Sequence, residues 1–176
     1  MIRIVKLVIL SFGIMLTGWI GVHAVNYKLD RLKEARVHAS PITAQVRQNQ
    51  LECLARNIYH EAGYEPFEGK VAVAQVTLNR VASGNFPGDV CKVVYQKNVV
   101  YEKVLCQFSW YCDQASLKKP MNGPVYYESM EVAKKVLLEG FRLSSVKEAL
   151  YYHADYINPK WGKQPIAKIG YHVFYK

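Results

Sequence analysis

A mainly α domain of the α+β class is what this sequence predicts, and three observations predict it. Apolar residues at 51, 54, 55, 58 and 62 recur at helical spacing and do not alternate as a strand would. Positions 71–78 are apolar except for Gln75 and Thr77, the mark of a helix buried on most sides. The tail from Ala149 concentrates Tyr, Ile, Val and Phe between breaks at Asn158-Pro159 and Ile169-Gly170, which reads as a short β element lying over helices.

Taken in order, the chain begins with an uncharged run of 19 residues at 7–25, behind Arg3 and Lys6. Its length matches the roughly 20 apolar residues that a spanning helix needs. Its basic start also fits a secretory signal peptide, with Val22-His23-Ala24 as a loose cleavage pattern. Ser11, Gly13, Thr17 and His23 dilute the run, and Lys28, Arg31, Lys33 and Arg36 follow it, so flanking charge orients it weakly. Residues 1–25 are expected to be a signal peptide or signal-anchor helix. Residues 26–48 are expected to be a polar tether broken at Pro41, and 49–176 the folded domain.

Within that domain the first helix spans 51–62 and is ended by Gly63 and the Glu65-Pro66 step. Pro66 suits the first position of a second helix over 66–83, closed by Ser83-Gly84-Asn85. Residues 89–120 are mixed, with a Val-rich piece at 90–95. A third helix is expected at about 124–139, with Tyr126, Met130, Ala133 and Leu137 on its apolar face and Val136 at the edge. Gly140 stops it.

Composition narrows the partner. The 176 residues are 51% hydrophobic and 21% charged, which excludes a disordered or collagen-like chain. The formal net charge is +9, and residues 26–176 alone still carry +7. A basic domain seeks an anionic partner. For an exported domain an acidic envelope polymer is a better partner than nucleic acid. Thirteen Tyr, 6 Phe and 3 Trp can serve a core or stack on sugars. Cys53, Cys91, Cys106 and Cys112 can oxidise after export. A bridge within the 91–112 stretch is plausible, and three full pairings are open. No CxxC pair and no HxxxH occurs, so no metal and no cofactor is expected.

Glu61 is the first chemical candidate. It lies about 80° from Leu51 on the helical wheel, just outside the apolar stripe and just before a chain break. A half-desolvated carboxyl there would have a raised pKa, which a general acid needs. The competing reading is a surface Glu near a helix end. His60 beside it reads as structural or exposed. Glu65 and Glu68 are candidate second carboxylates, and equally solvated or capping residues at the start of the next helix. Gln107-Phe108-Ser109-Trp110 alternates polar and aromatic side chains on an expected extended segment. It reads as a sugar-facing wall or as a core strand with one buried Trp.

These residues also carry a resemblance. The blocks ARNIYHEA at 55–62, EPFEGKVAVAQV at 65–76 and LNRV at 78–81 resemble the SleB/CwlJ-type cell wall hydrolase family, the spore cortex-lytic enzymes and their relatives. So do Cys91, VVYQ at 93–96, QFSW at 107–110, ALYYHA at 149–154, NPKW at 158–161 and IGYHVFY at 169–175. The resemblance implies a lysozyme-superfamily-like domain acting on peptidoglycan glycan strands, with Glu61 as the catalytic acid. Members often carry a small residue where this chain has His60. The implied reaction breaks the β-1,4 bond between N-acetylmuramic acid and N-acetylglucosamine. With no second carboxylate inside a matching block except Glu65 and Glu68, lytic transglycosylation by one Glu is favoured over hydrolysis. Gln107, Ser109 and Tyr152 are expected sugar contacts and Trp110 a stacking ring. Alternatives are a hydrolytic muramidase or glucosaminidase, a zinc amidase using His60, His153 and His172, and a non-enzymatic peptidoglycan-binding protein. The expected protein is an exported monomer, periplasmic or held at the inner membrane by its N-terminal segment where that is retained.

Overall fold

The computed structural model describes residues 19, 21–30 and 41–176. The chain divides into two units, Met1–Gln45 and Val46–Lys176. In the first, residues 21–30 are helical with exposed side chains. Most of the apolar run at 7–25 lies outside the described residues. Among the described residues no helix is long and apolar enough to cross a membrane.

Helix α1, Pro41–Ala62, begins at the proline expected to break the tether. Proline has no N–H to leave unpaired in a first turn, so it starts a helix as readily as it interrupts one. Only from Leu51 onward does α1 bury a stripe, with Leu54, Ala55 and Ile58 fully enclosed. Helix α2, Phe67–Ser83, is the centre of the fold, and its residues 69–77 are all buried. Gln75 and Thr77 stay inside because they are partnered. Gln75 exchanges two hydrogen bonds with the Leu143 backbone, at 2.7 and 3.1 Å. Thr77 donates to Val73 O at 3.3 Å. Two residues beyond Thr77, Asn79 donates to Val146 O and Ala149 O. The polar side chains of α2 thus fasten the loop that leads into the sheet.

The Val-rich piece forms a short helix, α3, Val90–Val94. Its β-branched residues favour a strand, but Asp89 caps the first turn by accepting the Lys92 N–H. A disulfide from Cys91 to Cys53 ties it to α1. An exposed hairpin follows, β1 (Lys97–Val100) paired antiparallel with β2 (Lys103–Cys106).

The expected extended segment at 107–110 is instead a turn, with a 3-10 helix at Ser109–Tyr111. The cause is the Cys106–Cys112 disulfide, whose Cα atoms lie 5.8 Å apart. Six extended residues would span about 20 Å, so the chain between these cysteines must double back. A short helix α4, Gln114–Lys118, precedes α5, Pro124–Leu137. The buried stripe of α5 runs through Ser129, Val132, Ala133 and Val136. It is turned from the expected face, so that Val136 is central while Tyr126, Met130 and Leu137 sit at the margin. Gly140, at φ 74°, reverses the chain after the helix.

The tail forms one antiparallel sheet in the order β3-β5-β4, from β3 (Tyr151–Ala154), β4 (Pro165–Ile169) and β5 (His172–Tyr175). Phe174 of β5 packs with Ala72 and Val76 of α2 in a second, smaller core. The architecture is a helix-rich α+β unit in which α2 separates the α1–α5 core from the sheet.

Candidate active site

Four parts of the unit meet at the C-terminal end of α1. Glu61 occupies its last turn and lines a cleft of about 300 Å³. The same cleft is walled by Arg80 of α2, the 106–109 turn, Tyr151 and Tyr152 of β3, and Trp161 from the β3–β4 loop. A second cleft, of about 310 Å³, lies against Glu61 and is lined by His60, Tyr64, Glu65, Lys119 and Tyr171 among others. Glu61 therefore belongs to the wall of both.

The geometry begins one helical turn earlier. Asn57 is fully buried and accepts the Trp110 indole N–H on Oδ1 at 3.0 Å. Its amide donates to Thr77 at 3.3 Å. This joins α1, α2 and the 3-10 turn directly beneath Glu61. Tyr152 then donates its hydroxyl to Glu61 Oε2 at 2.9 Å. Arg80 is held from below, with Nε donating to Leu150 O at 2.8 Å and the guanidinium 5.2 Å above the rings of Phe86 and Phe108.

The electrostatics follow from burial. Loss of water pushes the Glu61 carboxyl up, opposed by the Tyr152 hydrogen bond and then by the Arg80 charge. Burial also lifts the Tyr152 phenol well above its ordinary value, so it stays a donor. Arg80 is pulled down by burial and back up by Tyr152 and Glu61, and a guanidinium keeps its charge throughout. The carboxyl can thus be held as an acid, and when the proton leaves its carboxylate keeps the Tyr152 hydrogen bond with the Arg80 charge nearby.

The expected sugar contacts separate here. Gln107 and Ser109 line the cleft. Tyr152 lines it too, but its hydroxyl is committed to Glu61. Trp110 is 5% exposed, with its indole bonded to Asn57 and its face covered by His60 at 4.4 Å, nearly parallel. It is a core residue, and the tryptophan on the cleft is Trp161, 46% exposed. Tyr151, His153 and Tyr175 meet Trp161 edge-on and set its plane. His60 is a lid on Trp110. Burial, with Lys119 and Arg56 adding to it, lowers its pKa to about 4, so the ring is neutral. His153 is engaged with Ala154 O and the Tyr175 hydroxyl. No group of three or more His, Cys, Asp or Glu that could hold a metal ion occurs among the described residues.

Glu65 is neither solvated nor a helix cap. It is buried and faces the β4–β5 turn, where the Tyr171 N–H donates to it. Glu68 is exposed. Among the described residues Glu61 is the one carboxylate lining the cleft that holds Arg80 and Trp161. Arg80 and Trp161 were not singled out by the sequence. A charge inside an apolar helix was the available signal for Arg80, but Lys70 gives the same signal. Lys70 is equally buried and pairs with Glu128 at 2.9 Å.

The family model described as cell wall hydrolase matches residues 64–175, starting three residues after Glu61. A spore cortex-lytic enzyme of Bacillus cereus is 34% identical over 133 residues, which cover 73% of this chain and 45% of that protein. The spore cortex-lytic enzyme of Bacillus subtilis is 32% identical over 134 residues, covering 72% and 37%. The chain spans less than half the length of these curated relatives. Two solved structures resemble it with a TM-score of 0.54. One is the catalytic domain of the Bacillus cereus SleB protein, at 28% identity over 73% of this chain and 91% of that one. The other is the catalytic domain of the germination-specific lytic transglycosylase SleB from Bacillus anthracis, at 30% identity over 73% and 95%.

Proposed function

The chain belongs to the cell wall hydrolase family, and from that membership we propose that it cleaves peptidoglycan glycan strands as a lytic transglycosylase with Glu61 as its one catalytic carboxylate. The bond is the β-1,4 link from N-acetylmuramic acid to N-acetylglucosamine. The observation that carries this reading is a half-buried carboxyl, bonded by Tyr152, that is the one acid among the described residues lining the cleft with Arg80 and Trp161, while Glu65 of the adjoining cleft is taken up by the Tyr171 N–H. A two-carboxylate glycosidase needs a second acid to activate water or attack carbon. In a transglycosylase the substrate supplies the nucleophile. Glu61 protonates the leaving glycosidic oxygen. The resulting carboxylate accepts the proton of the muramic acid 6-hydroxyl as that oxygen bonds to the anomeric carbon, giving a 1,6-anhydro end. The Tyr152 hydroxyl and the Arg80 charge stabilise the carboxylate between the two transfers.

Trp161 offers its face to a sugar ring, and Gln107 and Ser109 offer hydrogen bonds from the 106–109 turn. With a cleft on each side of Glu61, a strand can lie across the acid with saccharides on both sides of the broken bond. The fold is read as lysozyme-superfamily-like. The protein acts as an exported monomer, with residues 1–25 as its signal or anchor and 26–48 as its tether, in the periplasm or on the wall-facing side of the inner membrane. Its net positive charge suits an anionic wall.

The test is mass spectrometry of digested peptidoglycan. Anhydro-muropeptides from the wild type and none from Glu61→Gln are expected. Reducing ends would replace transglycosylation by hydrolysis. Free stem peptide with intact glycan, lost on adding a chelator, would replace it by amidase chemistry. Unchanged products from Glu61→Gln would remove Glu61 from the reaction.

A further inference from the structure

Glu65 lies in the link between α1 and α2 and is 8% exposed. A carboxylate so enclosed needs partners, and it takes them from the β4–β5 turn. Its two oxygens share the Tyr171 N–H at 3.3 and 3.1 Å. His172 Nδ1 lies 3.3 Å from Oε1, within ion-pair reach, but forms no aligned hydrogen bond. The fit is close. A Cβ on Gly69 would meet Glu65 at 2.9 Å, and one on Gly170 would collide with its Oε2.

His172 is buried in turn and meets the Tyr152 ring edge-on, with centroids 5.1 Å apart and planes at 88°. Phe174 backs both rings, and Asp155 and His153 are the further charged or titratable neighbours of His172. Tyr152 carries the hydroxyl that bonds Glu61. A continuous path of packed groups therefore runs from Glu65 through His172 and Tyr152 to Glu61. It crosses from the α1–α2 link to the sheet and back to α1.

We propose that Glu65 is a positioning residue for the reaction at Glu61: it locks the β4–β5 turn and His172 in place, and His172 in turn fixes the Tyr152 hydroxyl on the Glu61 carboxyl. The proposal rests on the reading of Glu61 as the proton donor. Glu65 acts through two intervening side chains.

The experiment is a double-mutant cycle of Glu65→Gln against Tyr152→Phe, read as kcat, KM and the pH profile of kcat on purified peptidoglycan. Glutamine keeps an oxygen for the Tyr171 N–H and removes the charge facing His172. Glu65→Gln alone is expected to lower kcat about tenfold with KM within about twofold. It also moves the alkaline limb upward, in the direction of Tyr152→Phe. In the Tyr152→Phe background it is expected to change kcat by less than about twofold. Where Glu65→Gln does not accumulate as folded protein, His172→Ala reads the same path and gives the same pattern. Equal losses in both backgrounds, or an unmoved limb, overturn the positioning role. An active Glu61→Gln enzyme overturns the underlying reading instead, so the two failures are distinct.

Discussion

Replacing Tyr152 by Phe removes one oxygen and the hydrogen bond it gives Glu61, leaving the ring packed between His172 and Phe174. A hydrogen bond to a charged group contributes about 1.5–3 kcal/mol net. The bond is worth most when Glu61 is a carboxylate, which is the state between the two proton transfers. At about 1.4 kcal/mol per tenfold, kcat is expected to fall roughly 10- to 150-fold. The pH dependence has a defined sign. Tyr152 holds the Glu61 pKa down against the upward push of burial, so deleting its hydroxyl raises that pKa further. The alkaline limb of kcat, where Glu61 has lost its proton before it can give it, moves to higher pH. Stability follows the same linkage. Because the folded pKa is raised above the unfolded value, the bonus from a protonated Glu61 is fully present below the ordinary value of 4.5 and is lost as pH rises through the folded pKa. The stability penalty of the variant therefore appears on the alkaline side and shrinks in acid. Rates from the clearing of purified sacculi across pH, with melting curves at the same pH values, measure both. A limb that moves down, or a kcat within about twofold of wild type, refutes the reasoning.

Two further outcomes follow from the same geometry. Trp161→Ala is expected to raise KM about 5- to 30-fold, from ~1–2 kcal/mol of lost apolar contact, with little change in melting temperature. Trp110→Phe does the reverse, destabilising by about 1–3 kcal/mol because the buried Asn57 Oδ1 loses its donor. Saturation curves beside thermal melts separate them. Removing Cys53–Cys91, whose cysteines are 38 residues apart, is expected to cost roughly 4 kcal/mol on a chain-entropy basis, against roughly 2 kcal/mol for Cys106–Cys112, six apart. Denaturant melts of the two double-alanine variants give the comparison, and a larger loss for the shorter loop contradicts it.

The place of Glu61 at the edge of the apolar stripe of α1, in its last turn, was legible from helical spacing and from Gly63, whereas its proposed role as the acid came from the family resemblance and not from its position. The α2 helix was legible too, since burial on all sides leaves an almost continuous apolar run. What the sequence misjudged depended on cross-links and tertiary contacts that local propensity does not encode. A disulfide, and not local propensity, bends 107–110 into a turn, so the alternation that suggested a sugar-facing Trp110 does not exist. The orientation of Glu65 depends on the β4–β5 turn, more than 100 residues away along the chain. Arg80 and Lys70 are both buried cations on α2, and only the tertiary structure reveals that one faces the cleft and the other Glu128. The rotation of the α5 stripe likewise reflects its packing against α2, which favours small residues such as Ser129 and Ala133 over the larger Tyr126 and Met130.

The close fit of Gly69 and Gly170 around Glu65 has an evolutionary consequence. Glu65, Gly69 four residues on and the distant Gly170 share one small volume, so a change of size at one is felt by the others. A side chain gained at 69 or 170 must be matched by a shortening at 65, and at 170 the positive φ of 56° resists even then. Any single step away from this trio passes through a crowded or unpartnered intermediate. The three residues are therefore expected to be inherited together or replaced together, and an exchange at one without the others marks a lineage in which the β4–β5 turn has been rebuilt.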